Sequence, residues 1–123
     1  MHRILIVSDL ELVWTGKVLG RRGLTVKTAA DFKTAFHDLR TSAFDAVIIN
    51  LTTRTEGIDF IKRIRARRQL RDIPILVTAE WGTGYGSLAL SLGANAYEPV
   101  PCDAANLVAA VKRLLKPELA VAK

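Results

Sequence analysis

Several things are scarce in this chain, and each scarcity removes a class of function. There is one cysteine, Cys102, and the two histidines, His2 and His37, lie far apart without a cysteine partner. An intrachain disulfide is excluded, and no zinc-ligand spacing remains. A lone cysteine of this kind reads as a small packing residue rather than a nucleophile. No apolar run approaches the roughly 20 residues that span a bilayer, and Met1-His2-Arg3-Ile4 enters a strand pattern at once, leaving no room for a signal peptide. A cytoplasmic protein with no membrane association is expected. Glycines crowd into Glu80 to Gly86, but that stretch lacks a lysine in Walker spacing and the context of a first βα turn, so it reads as a mobile loop rather than a nucleotide cradle. Neither an internal repeat nor a linker interrupts the chain.

What is present fits one globular domain. The 123 residues are half apolar and about a quarter charged, enough for a single core and too few for two. Eighteen Lys and Arg against twelve Asp and Glu give a net charge of +6 and a pI near 9.9, which permits an acidic partner without naming one. Much of the excess sits in Lys62, Arg63, Arg65, Arg67, Arg68 and Arg71. Ile58, Ile61 and Ile64 recur beneath them at helical spacing, so the segment reads first as the solvated face of an amphipathic helix. Nucleic-acid binding is the alternative, and the absence of aromatic residues among the arginines gives a base-stacking surface little support.

Along the chain, Ile4-Leu5-Ile6-Val7 is a strand buried on both faces, stopping at Ser8-Asp9. A helix is expected from Leu10 to Arg22, then a wetter edge strand at Leu24 to Thr28. Asp31 is placed as the N-cap of a second helix, in which Phe32, Ala35, Phe36 and Leu39 recur at i, i+3, i+4 and i+7. Asp45 to Asn50 reads as the central strand, Gly57 to about Gln69 as the basic third helix, and Ile75 to Thr78 as a fourth strand. A fourth helix carries Leu88, Ala89 and Leu92. A fifth strand, Ala96 to Glu98, is cut short by Pro99 and Pro101 and so belongs at an edge. A fifth helix runs from Ala104 to about Lys116, ended by Pro117. The domain is bounded at residues 1–116, with 117–123 as a tail.

Five strands alternating with five helices specify a doubly wound α/β fold with helices on both faces of a parallel sheet. The flavodoxin-like strand order 2-1-3-4-5 suits this count, and the ends at Ser8-Asp9, Asn50 and Thr78 then meet in one crevice, where ligands of such sheets bind.

That set of strand ends, with Gly57-Ile58-Asp59-Phe60-Ile61 and Leu92-Gly93-Ala94-Asn95-Ala96-Tyr97, resembles the CheY-like receiver domain of bacterial two-component response regulators from Arg3 to Leu115. The resemblance implies an acyl-phosphate-forming aspartate after the third strand, a Mg2+-binding acidic pair after the first, a Ser or Thr after the fourth and a lysine after the fifth. Here Asp9 and Thr78 remain, but the phosphoacceptor position is Asn50, the second acidic position is Ser8 and the lysine position is Val100. The loop after Asn50 lacks the family's Met-Pro and is slightly short. A carboxamide is a weak, uncharged nucleophile, and Asp9 alone makes at most a weak Mg2+ ligand. The losses agree with one another, since a buried lysine stripped of its carboxylates costs ~3–5 kcal/mol. A degenerate receiver, or pseudo-receiver, is expected: no enzyme, no cofactor, no metal.

By the same resemblance its partner would be a protein, such as a kinase, an output domain or a second copy. Docking would use the fourth helix, fifth strand and fifth helix, through Leu88, Ser91, Tyr97 as the switch aromatic, Glu98, Lys112 and Lys116, with Thr78 as the switch hydroxyl. A cis peptide is expected before Pro101. Two alternatives remain: control by an anion, or by another phosphorylated residue of the crevice such as Ser8 or Asp9, and nucleic-acid binding through the basic helix.

Overall fold

The computed structural model describes residues 2–7, 20, 23–51 and 55–115. Five strands, β1 (Arg3–Val7), β2 (Thr25–Ala29), β3 (Ala46–Leu51), β4 (Ile75–Glu80) and β5 (Ala96–Val100), alternate with helices α1 (Phe32–Thr41), α2 (Glu56–Ala66), α3 (Tyr85–Ser91) and α4 (Ala104–Leu115). All strand pairings are parallel, in the order β2-β1-β3-β4-β5. This is the CheY-like flavodoxin fold. Among the described residues there are four helices; the one expected from Leu10 to Arg22 lies outside them apart from Gly20.

The period of two in a strand explains how one short run serves two cores. Leu5, Val7, Val47, Ile49, Ile75 and Val77 point to the face covered by α1, α2 and α3. Ile4, Ile6, Ile48 and Leu76 point to the other, where Leu107, Val108 and Val111 of α4 meet them. Each buried Ile or Leu contributes ~1.5–3 kcal/mol, so the continuous apolar strands fix the sheet's position between both layers.

Local signals act as the residues dictate at α1, where Asp31 accepts the backbone N–H of Thr34 at 2.7 Å. Three boundaries differ from the sequence reading by more than one residue. α2 ends at Ala66, with Arg67 as an extended C-cap, so Arg68 and Arg71 lie in the turns beyond rather than on a helix. β4 continues to Glu80. β5 runs through Pro99 to Val100, pairing with Ala79 and Glu80; as an edge strand it tolerates a residue without an N–H.

Candidate functional site

The parallel register of β3 and β4 sets Asn50 directly beside Thr78. Thr78 is 2% exposed, and a hydroxyl buried to that degree is costly unless it is hydrogen-bonded. Its Oγ1 donates to Asn50 Oδ1 at 2.9 Å. The two polar strand ends therefore satisfy each other with neutral groups, and the pair can donate and accept hydrogen bonds but offers no anionic nucleophile. Val100 is half-buried at the end of β5, and the Val100–Pro101 peptide is cis. Ser8 and Asp9 lie outside the described residues, so of the five crevice positions singled out in the sequence the structure brings together Asn50 and Thr78 and places Val100 on the adjoining edge strand.

Both α3 and α4 pack on β5, one from each face of the sheet, and this edge carries most of the residues assigned to a partner face. Leu88, Tyr97 and Glu98 are half-buried, Ser91 and Lys112 exposed; Lys116 falls outside the described residues. The ring of Tyr97 lies against Gly86, where any Cβ would collide with it, and its hydroxyl donates to the Ala79 carbonyl in a long 3.4 Å bond. Gly86 is therefore a space requirement of the tyrosine, inside a helix rather than in a loop. Gly84, with φ +76°, turns the chain into α3 in a conformation that favours glycine. Sequence reasoning missed the two exposed large apolar residues here, Trp81 at 70% and Leu90 at 44%. The signal for Leu90 was its place two residues after Leu88, off the stripe of Leu88, Ala89 and Leu92.

The basic segment is not one solvated face. Lys62 and Arg63 are exposed on α2, but Arg65 turns inward. Its Nε and Nη2 donate to the Gly93 carbonyl, its Nη1 to the carbonyls of Arg71 and Ile73, and its Nη2 also to Asn95 Oδ1. Burial lowers the Arg65 pKa from its ordinary value, with Asp72 acting in the opposite sense. The reading of Arg65 as part of a solvated basic face is thereby corrected: its donors are committed to the fold. Aromatic contact also exists where the sequence showed none, since the guanidiniums of Arg63 and Arg67 sit 4.4 and 5.8 Å from the ring centre of Phe36 on α1. Cys102 packs against the α4 core, and burial, followed by the Glu98 and Asp103 carboxylates, pushes its thiol pKa up, the reverse of an activated nucleophile.

Strand order, two-sided helix cover and the polar strand ends together define a two-component receiver. The response regulator receiver domain model matches residues 4–112, and the chain belongs to that family. It is 29% identical over 118 residues to the transcriptional regulatory protein QseB of Haemophilus influenzae, a match covering 93% of this chain and 52% of that protein. The chain spans about half the length of such curated relatives. Among solved structures, a response regulator of Chloroflexus aurantiacus superposes with a TM-score of 0.86 at 29% identity, covering 93% of this chain and 97% of that one. The chemotaxis response regulator CheY4 of Vibrio cholerae gives 0.83 at 26% identity, covering 94% and 99%. Receiver domains of this family interact with kinases and output domains. Among the described residues no helix is long and apolar enough to cross a membrane.

Proposed function

We propose that this receiver domain signals by protein docking without aspartyl phosphorylation. The observation that carries the reading is the 2.9 Å bond from Thr78 to Asn50: the hydroxyl that would meet a phosphoryl group is committed to a neutral carboxamide standing where the nucleophile belongs. The lysine position is the apolar Val100. Of the donors assigned to Mg2+ only Asp9 carries charge, and the Asn50 amide oxygen already accepts a hydrogen bond from Thr78, so the set does not fit a hard octahedral cation. Docking falls to the α3–β5–α4 edge, where Leu88, Ser91, Tyr97, Glu98 and Lys112, with Lys116 just beyond, would meet a kinase, an output domain or a second copy of the chain. Trp81, in the turn before α3, and Leu90, on α3, are exposed large apolar residues, a type that interface cores use.

The test is incubation with acetyl phosphate and Mg2+, followed by intact mass and Trp fluorescence. No phosphoryl adduct is expected, and a stoichiometric adduct that disappears in Asn50→Ala overturns the reading. A second reading, control of the crevice by an anion, draws support from the same bond. With Oδ1 engaged by Thr78, the Asn50 amide Nδ2 has no hydrogen-bond acceptor among the described residues. Titration with inorganic phosphate, with phosphopeptide mapping for Ser8 or Asp9, separates the non-covalent from the covalent form. Nucleic-acid binding through the basic segment, the remaining alternative, loses Arg65 as a phosphate contact and should show a steep salt dependence if it occurs.

A further inference from the structure

At the end of the sheet opposite the crevice, an apolar cleft of about 320 Å³ opens between the C-terminal end of α1 and the turns after α2. Leu39 and Phe44 line one wall, and Leu70, Ile73 and Pro74 the other. Both walls are pinned by arginines. Arg65 holds the Arg71 and Ile73 carbonyls at 2.8 and 2.7 Å. Arg3 donates to the Ala43 carbonyl at 3.0 Å, with its guanidinium 4.9 Å from the centre of the Phe44 ring. A cleft held in this way loses little freedom when it is filled.

Its surroundings are net basic. Arg40 follows Leu39, Arg68 precedes Gln69 and Arg71 follows Leu70, against Asp45 beside Phe44 and Asp72 beside Ile73. The only ion pair among the described residues is Lys27 with Asp38 at 3.1 Å, so Arg40, Arg68 and Arg71 face solvent without a carboxylate partner. In the seam between α1 and α2, Arg63 and Arg67 lie on Phe36, and beyond them the seam turns acidic, with Asp31, Glu56 and Asp59 beside Lys33.

We infer that this cleft forms a second docking surface for an acidic protein segment that carries a large apolar side chain, the apolar group entering the cleft and the flanking carboxylates meeting Arg40, Arg68 and Arg71. Spaced carboxylates fit this rim better than a continuous phosphate backbone, which would run against Asp45 and Asp72 and leave the apolar cleft empty. The surface lies at the far end of the sheet from Asn50, so it stands or falls independently of whether the crevice is phosphorylated.

The probe is a short fluorescein-labelled peptide with one Phe flanked on both sides by Asp and Glu, titrated with the full chain and read by anisotropy at physiological salt. Saturable binding is expected. Replacing the peptide's Phe by Ala weakens it about tenfold or more, the value of one buried apolar side chain. Ala43→Trp, which fills the cleft from an exposed position, has a similar effect, as does the exposed pair Arg40→Glu with Arg68→Glu. Circular dichroism checks that each variant folds, and the peptide substitution needs no change to the protein. Failure to bind, affinity indifferent to both the peptide Phe and Ala43→Trp, or tighter binding of a labelled DNA duplex than of the peptide overturns the inference.

Discussion

The two ends of the sheet handle the same problem, polar groups left where strands and helices stop, in opposite ways. At the crevice end two short neutral side chains share one hydrogen bond, Thr78 to Asn50 at 2.9 Å. At the other end one charged side chain does the joining. Arg65 reaches Gly93 from Nε and Nη2 at 2.9 and 2.7 Å, Asn95 at 2.8 Å, and the Arg71 and Ile73 carbonyls. Asn95 Oδ1 in turn accepts the Ile75 N–H at 2.8 Å, where β4 begins. A guanidinium is suited to this because its donors lie in one rigid plane and can serve several carbonyls at once. The contrast teaches that a charged donor serves where several turn carbonyls must be closed at once, whereas Asn50 and Thr78 satisfy each other with neutral groups.

Breaking the charged end should cost most. Arg65→Ala leaves the Gly93 and Ile73 carbonyls and the Asn95 amide short of donors; with hydrogen bonds to charged groups each contributing ~1.5–3 kcal/mol, a loss of about 3 kcal/mol is expected. Thermal denaturation should show a fall in Tm of roughly 10 °C or more. Arg65→Lys should recover only a minor part, since an ammonium cannot reproduce the planar fork. A Tm within a degree or two of the parent would mean that this end is not held by Arg65, and the contrast would lose its stronger half.

The next effect tests the edge that the crevice adjoins. Gly86→Ala places a Cβ against the Tyr97 ring, and overpacking of this kind costs ~1–3 kcal/mol unless the ring swings out. Tyr fluorescence or ring NMR signals, read with the Tm, distinguish a strained tyrosine from a displaced one. Either result alters the proposed partner face; an unchanged ring environment at unchanged stability would deny the close fit.

Smaller still is the crevice pair itself. Asn50→Ala strands the Thr78 hydroxyl in a site 2% exposed, and an unsatisfied buried donor costs ~1–3 kcal/mol, the lower part of that range applying because Asn50 is itself half-exposed. Asn50→Asp keeps an acceptor for Thr78 and is expected to be milder. It should also remain unphosphorylated by acetyl phosphate, because on the proposed reading Ser8 and Val100 stand in place of a metal carboxylate and the phosphate-holding lysine. Phosphorylation of that variant would show that the site has lost one residue rather than a mechanism.

Most of the fold was legible because it rests on short-range pattern. Ile4 to Val7, Asp45 to Asn50 and Ile75 to Thr78 are apolar runs with polar ends, and the flavodoxin-like order suits five such parallel strands. The crevice position of Asn50 followed from the same pattern, whereas its bond to Thr78 depends on the register between strands 28 residues apart. The inward turn of Arg65 also depends on partners 28 residues away, yet a signal was available: Arg65 lies at i+7 from Ile58 and i+4 from Ile61, so it extends the apolar stripe that was read as lying beneath the charges. The end of α2 at Ala66 carried no such sign, because nothing at Arg67, Arg68 or Gln69 stops a helix by itself. The Gly86 requirement was hidden for a related reason, since a glycine in a glycine-rich stretch reads as loop until the ring against it is known.

The smallest effect concerns a carboxylate that survives at the crevice end, and it has work of its own. Asp31 lies beyond the last residue of β2, fully at the surface, and accepts the Thr34 N–H at 2.7 Å. That backbone bond is the main cause of its lowered pKa, with the Thr34 side chain and Lys33 acting in the same direction. A carboxyl whose pKa is depressed by folding contributes stability that is present above its unfolded value, about 3.9, and is lost as pH falls through the lower folded value. The difference in Tm between the parent and Asp31→Asn should therefore be constant from neutral pH down to about 5 and shrink below about 4, because the protonated acid and the amide then accept the helix N–H alike. Measured by circular dichroism across that range, a difference that persists unchanged in acid would mean that Asp31 acts through its shape rather than its charge. A difference that vanishes would place charge at the crevice end in a structural role too, leaving Asn50 and Thr78, rather than the whole end of the sheet, as the neutral site.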